Sequence, residues 1–211
     1  MVRGRGRYKA VIYDCDGVMF DSLEANCAFY EEVFTHMGLT LDRGDAEMMK
    51  IIHTYANREV LHHFFPEQPR WEASVRFTGS IDYRQLIHLM KMEDGLAATL
   101  EQLKGMVHLA VCTNRSSSMD AVLEGFNLAG YFSFVMTAAR ASFPKPHPDP
   151  LNRILVHYGL QPGEALFVGD SAVDSQAAAA AGVPFVAYKA DLPGMARIER
   201  HEELLSLLSE L

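Results

Sequence analysis

Asp14 and Asp16 stand two residues apart at the end of an apolar run, Ala10-Val11-Ile12-Tyr13, that reads as a short buried strand. Side chains alternate faces along a strand, so both carboxylates point to one side and Cys15 to the other. Two unit charges about 4 Å apart repel by roughly 4 kcal/mol at an effective dielectric of 20. Such a pair needs a cation, a shared proton, or both. Gly17 then lets the chain turn sharply or lets something approach its backbone. The pattern points to a metal-assisted nucleophilic site; the plainer alternative is an acidic strand end.

Three later stretches carry matching chemistry. The run Val107–Cys112 leads into Thr113-Asn114-Arg115-Ser116, whose hydroxyl and backbone N–H groups at a strand-to-helix turn suit an anionic oxygen. Taken alone the stretch is a helix cap, since Thr, Asn and Ser all cap well. Lys145 lies among Pro144, Pro146, Pro148 and Pro150, which stiffen the backbone around it. Taken alone it is a surface lysine in a turn. Phe167-Val168-Gly169-Asp170-Ser171-Ala172-Val173-Asp174 puts Asp170 at another strand end and Asp174 at a helix start. Four carboxylates at sheet ends suit a hard, oxygen-seeking divalent cation, and Mg²⁺ fits sparse carboxylate ligation with retained water.

The elements that must position these groups alternate. Ala10–Tyr13, Val107–Cys112, Phe134–Met136, Ala165–Val168 and Pro184–Ala187 read as buried parallel strands. Helical stripes separate most of them: Leu96/Leu100/Leu103, Met119/Val122/Leu123/Phe126, Leu151/Ile154/Leu155/Tyr158, and the Ala-rich 172–181 closed by Gly182. Alternation of this kind predicts a doubly wound α/β sheet. One connection is too long for a crossover. Between Asp14 and Val107 the chain is mostly helical in pattern, with stripes through Leu23–Met37, Met48–Tyr55, Val60–Phe65, Trp71–Val75 and Leu86–Met90. It reads as a helical insertion of about 70 residues, placed as a lid at the carboxyl end of the first strand.

A 211-residue chain with 49% hydrophobic residues can bury a full core, and its net charge of −8 disfavours nonspecific binding to nucleic acid or anionic membrane. No apolar run nears the roughly 18 residues of a membrane span, and no secretory signal is evident. Cys15, Cys27 and Cys112 read as buried thiols of a reducing compartment, so a cytoplasmic protein is expected. Arg3, Arg5 and Arg7 read as a frayed basic arm. Arg115 is expected as a solvated helix start, and His62-His63 as surface, about 100° apart on a helix.

In this order the four stretches resemble the motifs of the haloacid dehalogenase (HAD) superfamily, along the whole chain. Asp14-Cys15-Asp16-Gly17-Val18 is similar to the first motif, Thr113-Asn114 to the second, Lys145-Pro146 to the third and Gly169–Asp174 to the fourth. The resemblance implies a Rossmann-like α/β core, residues 1–20 and 95–211, with an inserted all-α cap, residues 21–94, of the type found in phosphoglycolate phosphatases and β-phosphoglucomutases. It implies an Mg²⁺-dependent phosphatase acting on a small phosphorylated metabolite. Asp14 would be the nucleophile and Asp16 the acid and base. Mg²⁺ would be held by Asp14, Asp170 and the backbone carbonyl of Asp16, with Asp174 acting indirectly. Thr113, Asn114 and Lys145 would bind the phosphoryl group, and Arg58 would reach it from the cap. A phosphomutase is the nearest rival, through a partial match at Asn57-Arg58-Glu59, and a non-catalytic phospholigand binder is a further one. The expected partner is a small molecule, with neither nucleic acid nor membrane involved, and the expected state is a monomer or homodimer.

Overall fold

The computed structural model describes residues 6–209, so Arg3 and Arg5 of the basic arm lie outside the described residues. Six parallel strands form the central sheet: β1 (Ala10–Tyr13), β4 (His108–Thr113), β5 (Phe134–Thr137), β6 (Ala165–Gly169), β7 (Phe185–Tyr188) and β8 (Ala196–Ile198), in the order β5-β4-β1-β6-β7-β8. The fold is α/β and Rossmann-like, as the alternation predicts. β1 is central because all four of its side chains are buried. Val11 and Tyr13 pack on one face with Leu100, Leu103, Val122 and Leu204. Those residues come from α5 (Leu96–Leu103), α6 (Met119–Gly125) and α9 (Glu203–Ser209). Ala10 and Ile12 pack on the other face with Leu151, Ile154, Ala177 and Ala178 of α7 (Asp149–Tyr158) and α8 (Ala172–Ala181).

The insertion leaves and returns through a two-stranded antiparallel ribbon, β2 (Phe20–Asp21) and β3 (Lys91–Met92), which holds its two stems together. Between them run α1 (Leu23–His36), α2 (Ala46–Thr54), α3 (Asn57–Phe64) and α4 (Gln68–Thr78). They close on their own apolar cluster, which includes Phe34, Ile52, Val60, Leu61 and Phe65. The stripe expected at Leu86–Met90 is a 3₁₀ helix, Tyr83–Leu89, with no fully buried residue. Among the described residues no helix is long and apolar enough to cross a membrane.

Candidate active site

Sheet order explains why groups far apart in sequence meet. Tyr13 of β1 pairs with Val111 of β4 on one side and Val168 of β6 on the other. Asp14, Thr113 and Asp170 therefore emerge at one edge, the carboxyl ends of three adjacent strands, where open α/β sheets bind ligands. The β5–α7 loop adds Lys145, and the first turn of α8 adds Asp174. Cys15 points the opposite way, into the core with Val18 and Met19, as strand alternation requires.

Lys145 is 1% exposed and sits between two carboxylates. Its Nζ lies 2.8 Å from Asp14 Oδ1 and 2.6 Å from Asp174 Oδ1, and donates to the Cys112 carbonyl at 3.0 Å. Burial alone would favour loss of its proton, but the two carboxylates outweigh that and push its pKa above the usual lysine range. Asn114 fixes the loop. Its Oδ1 accepts from Lys145 N and its Nδ2 donates to the Lys145 carbonyl, both at 3.0 Å. The Asn114 amide thus faces the lysine loop, and Thr113 and Asn114 both line the cleft.

Asp16 has a partner that the sequence did not signal. Arg115, read from sequence as a solvated helix start, is 9% exposed and clamps Asp16 in two places. Nε donates to Oδ2 at 2.8 Å and Nη2 to Oδ1 at 2.5 Å. The Ser22 hydroxyl donates to the same Oδ1. Burial pushes the Asp16 pKa up, but the guanidinium outweighs it and holds the carboxyl below the usual range. Arg115 also reaches Asn26 Oδ1 at 3.1 Å and lies 4.8 Å over the Tyr83 ring. Sequence reasoning missed Ser22, Asn26 and Tyr83 entirely.

One oxygen each of Asp14, Asp170 and Asp174 lies within 4.8 Å of the others. Both oxygens of Asp174 are already engaged, Oδ1 by Lys145 and Oδ2 by the N–H and hydroxyl of Ser171. Asp14 is pushed well above the usual range, first by burial and then by Asp174, against the pull of Lys145. Asp170 is pushed up to about 7 by burial and by Asp174. One lysine does not satisfy two buried carboxylates and a half-buried third, so the donor set fits a hard divalent cation. Two glycines leave room for it. A Cβ on Gly17, whose φ is +74°, would lie 2.0 Å from Asp170 Oδ2, and one on Gly169 would lie 2.5 Å from Asp174 Cβ. Gly17→Ala should therefore displace the Asp170 carboxylate and abolish any Mg²⁺ effect on the melting temperature, a result differential scanning fluorimetry reads directly.

The sign of the pH effect follows from the raised pKa. Without a cation, the contribution of Asp170 to stability is present below about pH 4 and is lost as pH rises through about 7. A divalent cation bound there would compete with the proton and restore it above that point. The Mg²⁺-induced rise in melting temperature should be larger at pH 8 than at pH 6 and small for Asp170→Asn. A rise independent of pH would exclude Asp170 as a ligand.

Not every expected residue joins the site. Arg58 lies against Trp71, its guanidinium 4.7 Å from the ring and its carbonyl accepting from the indole N–H at 3.3 Å. It is not among the residues lining the cleft, which the insertion closes through Asn26, Tyr30, His53, Asn57, Thr78 and Tyr83 instead. His62 and His63 are exposed, as expected. The cleft volume is about 200 Å³, below the roughly 300–1,000 Å³ of drug-sized pockets.

The model of the haloacid dehalogenase-like hydrolase family matches residues 11–188. A HAD-superfamily hydrolase of subfamily IA, variant 1, from Geobacter sulfurreducens PCA is 59% identical, with 99% of this chain and 100% of that chain covered and a TM-score of 0.78. Phosphoglycolate phosphatase of Escherichia coli (strain K12) is 44% identical over 86 residues, 40% of this chain. That match spans about a third of the curated relative, 34% of its length. A variant of CbbY from Rhodobacter sphaeroides, solved in complex with xylulose-(1,5)bisphosphate, shares the fold with a TM-score of 0.82 at 19% identity, over 95% of this chain and 99% of that one.

Proposed function

The chain belongs to the haloacid dehalogenase-like hydrolase family, and from that premise we propose that it is an Mg²⁺-dependent phosphatase of a small phosphorylated metabolite, with Asp14 as nucleophile. The observation that carries this reading is the Asp14 carboxylate, held at the floor of the cleft by a buried lysine and flanked by Asp170 and Asp174. A phosphatase of this kind needs a carboxylate able to approach a phosphate dianion, and therefore positive charge on both. Lys145 supplies part of it. Asp14, Asp170 and the Asp16 carbonyl would hold Mg²⁺, which would supply the rest of the positive charge at the phosphoryl oxygens.

In the first half-reaction an Asp14 oxygen bonds to phosphorus, the bond to the leaving oxygen breaks, and that oxygen takes a proton from Asp16. The Arg115 clamp holds Asp16 as a carboxylate in the free protein, so the proton it passes to the leaving oxygen must be taken up as the substrate binds, a step that loosening of Arg115 from Asp16 would favour. In the second, water attacks the phosphorus of the aspartyl-phosphate and gives its proton to Asp16, and Asp14 is regenerated with release of inorganic phosphate. Thr113 and the N–H of Asn114 would bind the phosphoryl oxygens, and Asp174 keeps Lys145 in line.

The test is p-nitrophenyl phosphate with Mg²⁺ or with EDTA, followed by acid quench during turnover. Release only with Mg²⁺, with phosphate left covalently on the protein, is the expected result. Release without a phosphoenzyme would mean that water attacks directly. No release would reject the hydrolase reading and favour a phospholigand binder. A mutase would isomerise a sugar phosphate under a bisphosphate activator with no net release; the position of Arg58 against Trp71 gives that reading no support.

A further inference from the structure

We infer that the leaving group of the substrate is small, uncharged and hydroxyl-bearing, that is, a phosphorylated polyol or short sugar and neither a phosphocarboxylate nor a bisphosphate. The inference rests on the phosphatase reading and concerns the half of the cleft that the leaving group must occupy.

The charge inventory of the lining carries it. Among the described residues, the lining contains two permanent cations, Lys145 and Arg115. Both are matched by carboxylates: Lys145 by Asp14 and Asp174, Arg115 by both oxygens of Asp16. No Lys or Arg of the insertion lines the cleft. Within this lining a carboxylate or second phosphate on the leaving group would be taken from water with no free cation beside it, or would have to strip Arg115 from Asp16; Lys50 of α2 lies outside it, in the adjoining hollow with Tyr55, Asp170 and Ser171. Either route is costly, because an unpaired buried charge or a half-broken buried pair is strongly destabilising.

What the insertion does offer is neutral hydrogen bonding. Asn26 Oδ1 accepts from Arg115 Nη2 and from the Tyr83 hydroxyl at 3.2 Å, which fixes Nδ2 as the end facing His53 Nδ1 at 3.0 Å. His53 Nδ1 is then the acceptor, and its Nε2–H is a donor. Asn57 and Thr78 meet at 3.4 Å and the Tyr30 hydroxyl donates to Asn57 Oδ1 at 3.3 Å, so alternating donors and acceptors line this wall. Many of these groups bond one another, and the capacity they leave, the Nε2–H of His53 and the second Nδ2 hydrogen of Asn57 among it, is neutral and suits hydroxyl groups, which a site of this kind favours over a substrate lacking them. The cleft volume of about 200 Å³ favours a small leaving group over a large one.

The test compares size-matched pairs with Mg²⁺, after p-nitrophenyl phosphate has established turnover. Ethylene glycol monophosphate is paired with phosphoglycolate, and glycerol 3-phosphate with 3-phosphoglycerate. The members of each pair differ by a carboxylate, so the ratio is informative even if neither is the natural substrate. The uncharged member should win in kcat/KM by at least about tenfold in both pairs. Parity, or a preference for phosphoglycolate or 3-phosphoglycerate, overturns the inference while leaving the phosphatase reading intact. Failure to release phosphate from p-nitrophenyl phosphate and from all four of these esters rejects that reading, and this inference with it.

Discussion

Asp14→Asn should lower phosphate release by at least roughly four orders of magnitude while leaving the melting temperature unchanged or higher. The loss is large because an amide cannot form the bond to phosphorus, and removing the nucleophile of a concerted site costs on the order of 10⁴–10⁶ in kcat. The stability is preserved for an electrostatic reason. Burial and the neighbouring Asp174 push the Asp14 pKa well above the usual range, so its ionised form is held at a cost. Asparagine keeps the shape and removes the charge, and Lys145 retains Asp174 and the Cys112 carbonyl as partners. The two readouts must separate: a variant that is both inactive and unfolded says nothing of chemistry, and one that keeps more than a tenth of the activity excludes Asp14 as nucleophile.

Lys145→Met should be damaged in both respects. The ammonium is fully buried between two carboxylates less than 3 Å away. Each such pair gains roughly 6 kcal/mol of attraction at an effective dielectric of 20, set against a desolvation cost of several kcal/mol per ion. Removing the cation leaves Asp14 and Asp174 facing each other, and breaking a buried pair in this way costs about 3–5 kcal/mol. For a chain of this size that lowers the melting temperature by roughly 10 °C. Low pH should rescue part of the loss, because protonation removes the repulsion that methionine leaves behind. Thermal melts at pH 5 and pH 8 compare the two states; an equal deficit at both would mean that the loss comes from packing and not from charge.

Much of this arrangement was legible in the residues, for identifiable reasons. Strands buried on both faces become unbroken apolar runs, so β1, β4, β5, β6 and β7 stood out, each within a residue or so of its observed ends. The acidic and basic groups that follow them were visible because they interrupt those runs. β8 was not visible: Ala196-Arg197-Ile198 is too short and has one fully buried side chain. β2 and β3 are two residues each and exist only as partners of one another. The helical pattern at Leu86–Met90 gave way to a 3₁₀ turn because little of that segment is buried deeply enough to reward an α-helix. Arg115 was misjudged for a different reason. An arginine at a helix start is usually solvated, and nothing near it in sequence signals Asp16, which reaches it only through the pairing of β1 with β4. Arg58 failed in the opposite direction, because its aromatic partner, Trp71, belongs to the next helix.

The central place of β1 also governs when the protein can become competent during synthesis. Ala10 is made early, yet it pairs with His108 on one side and Ala165 on the other. Until β6 has left the ribosome the Asp14 strand is an unpaired sheet edge, and Lys145 lacks Asp174, which is made later still. Nascent chains shorter than about that length should bind no phosphate analogue, and the exposed edge makes them candidates for chaperone capture. Return of activity on refolding should accordingly coincide with the slowest change in tertiary signal and lag behind the recovery of helicity, since long-range parallel pairing is the slow kind.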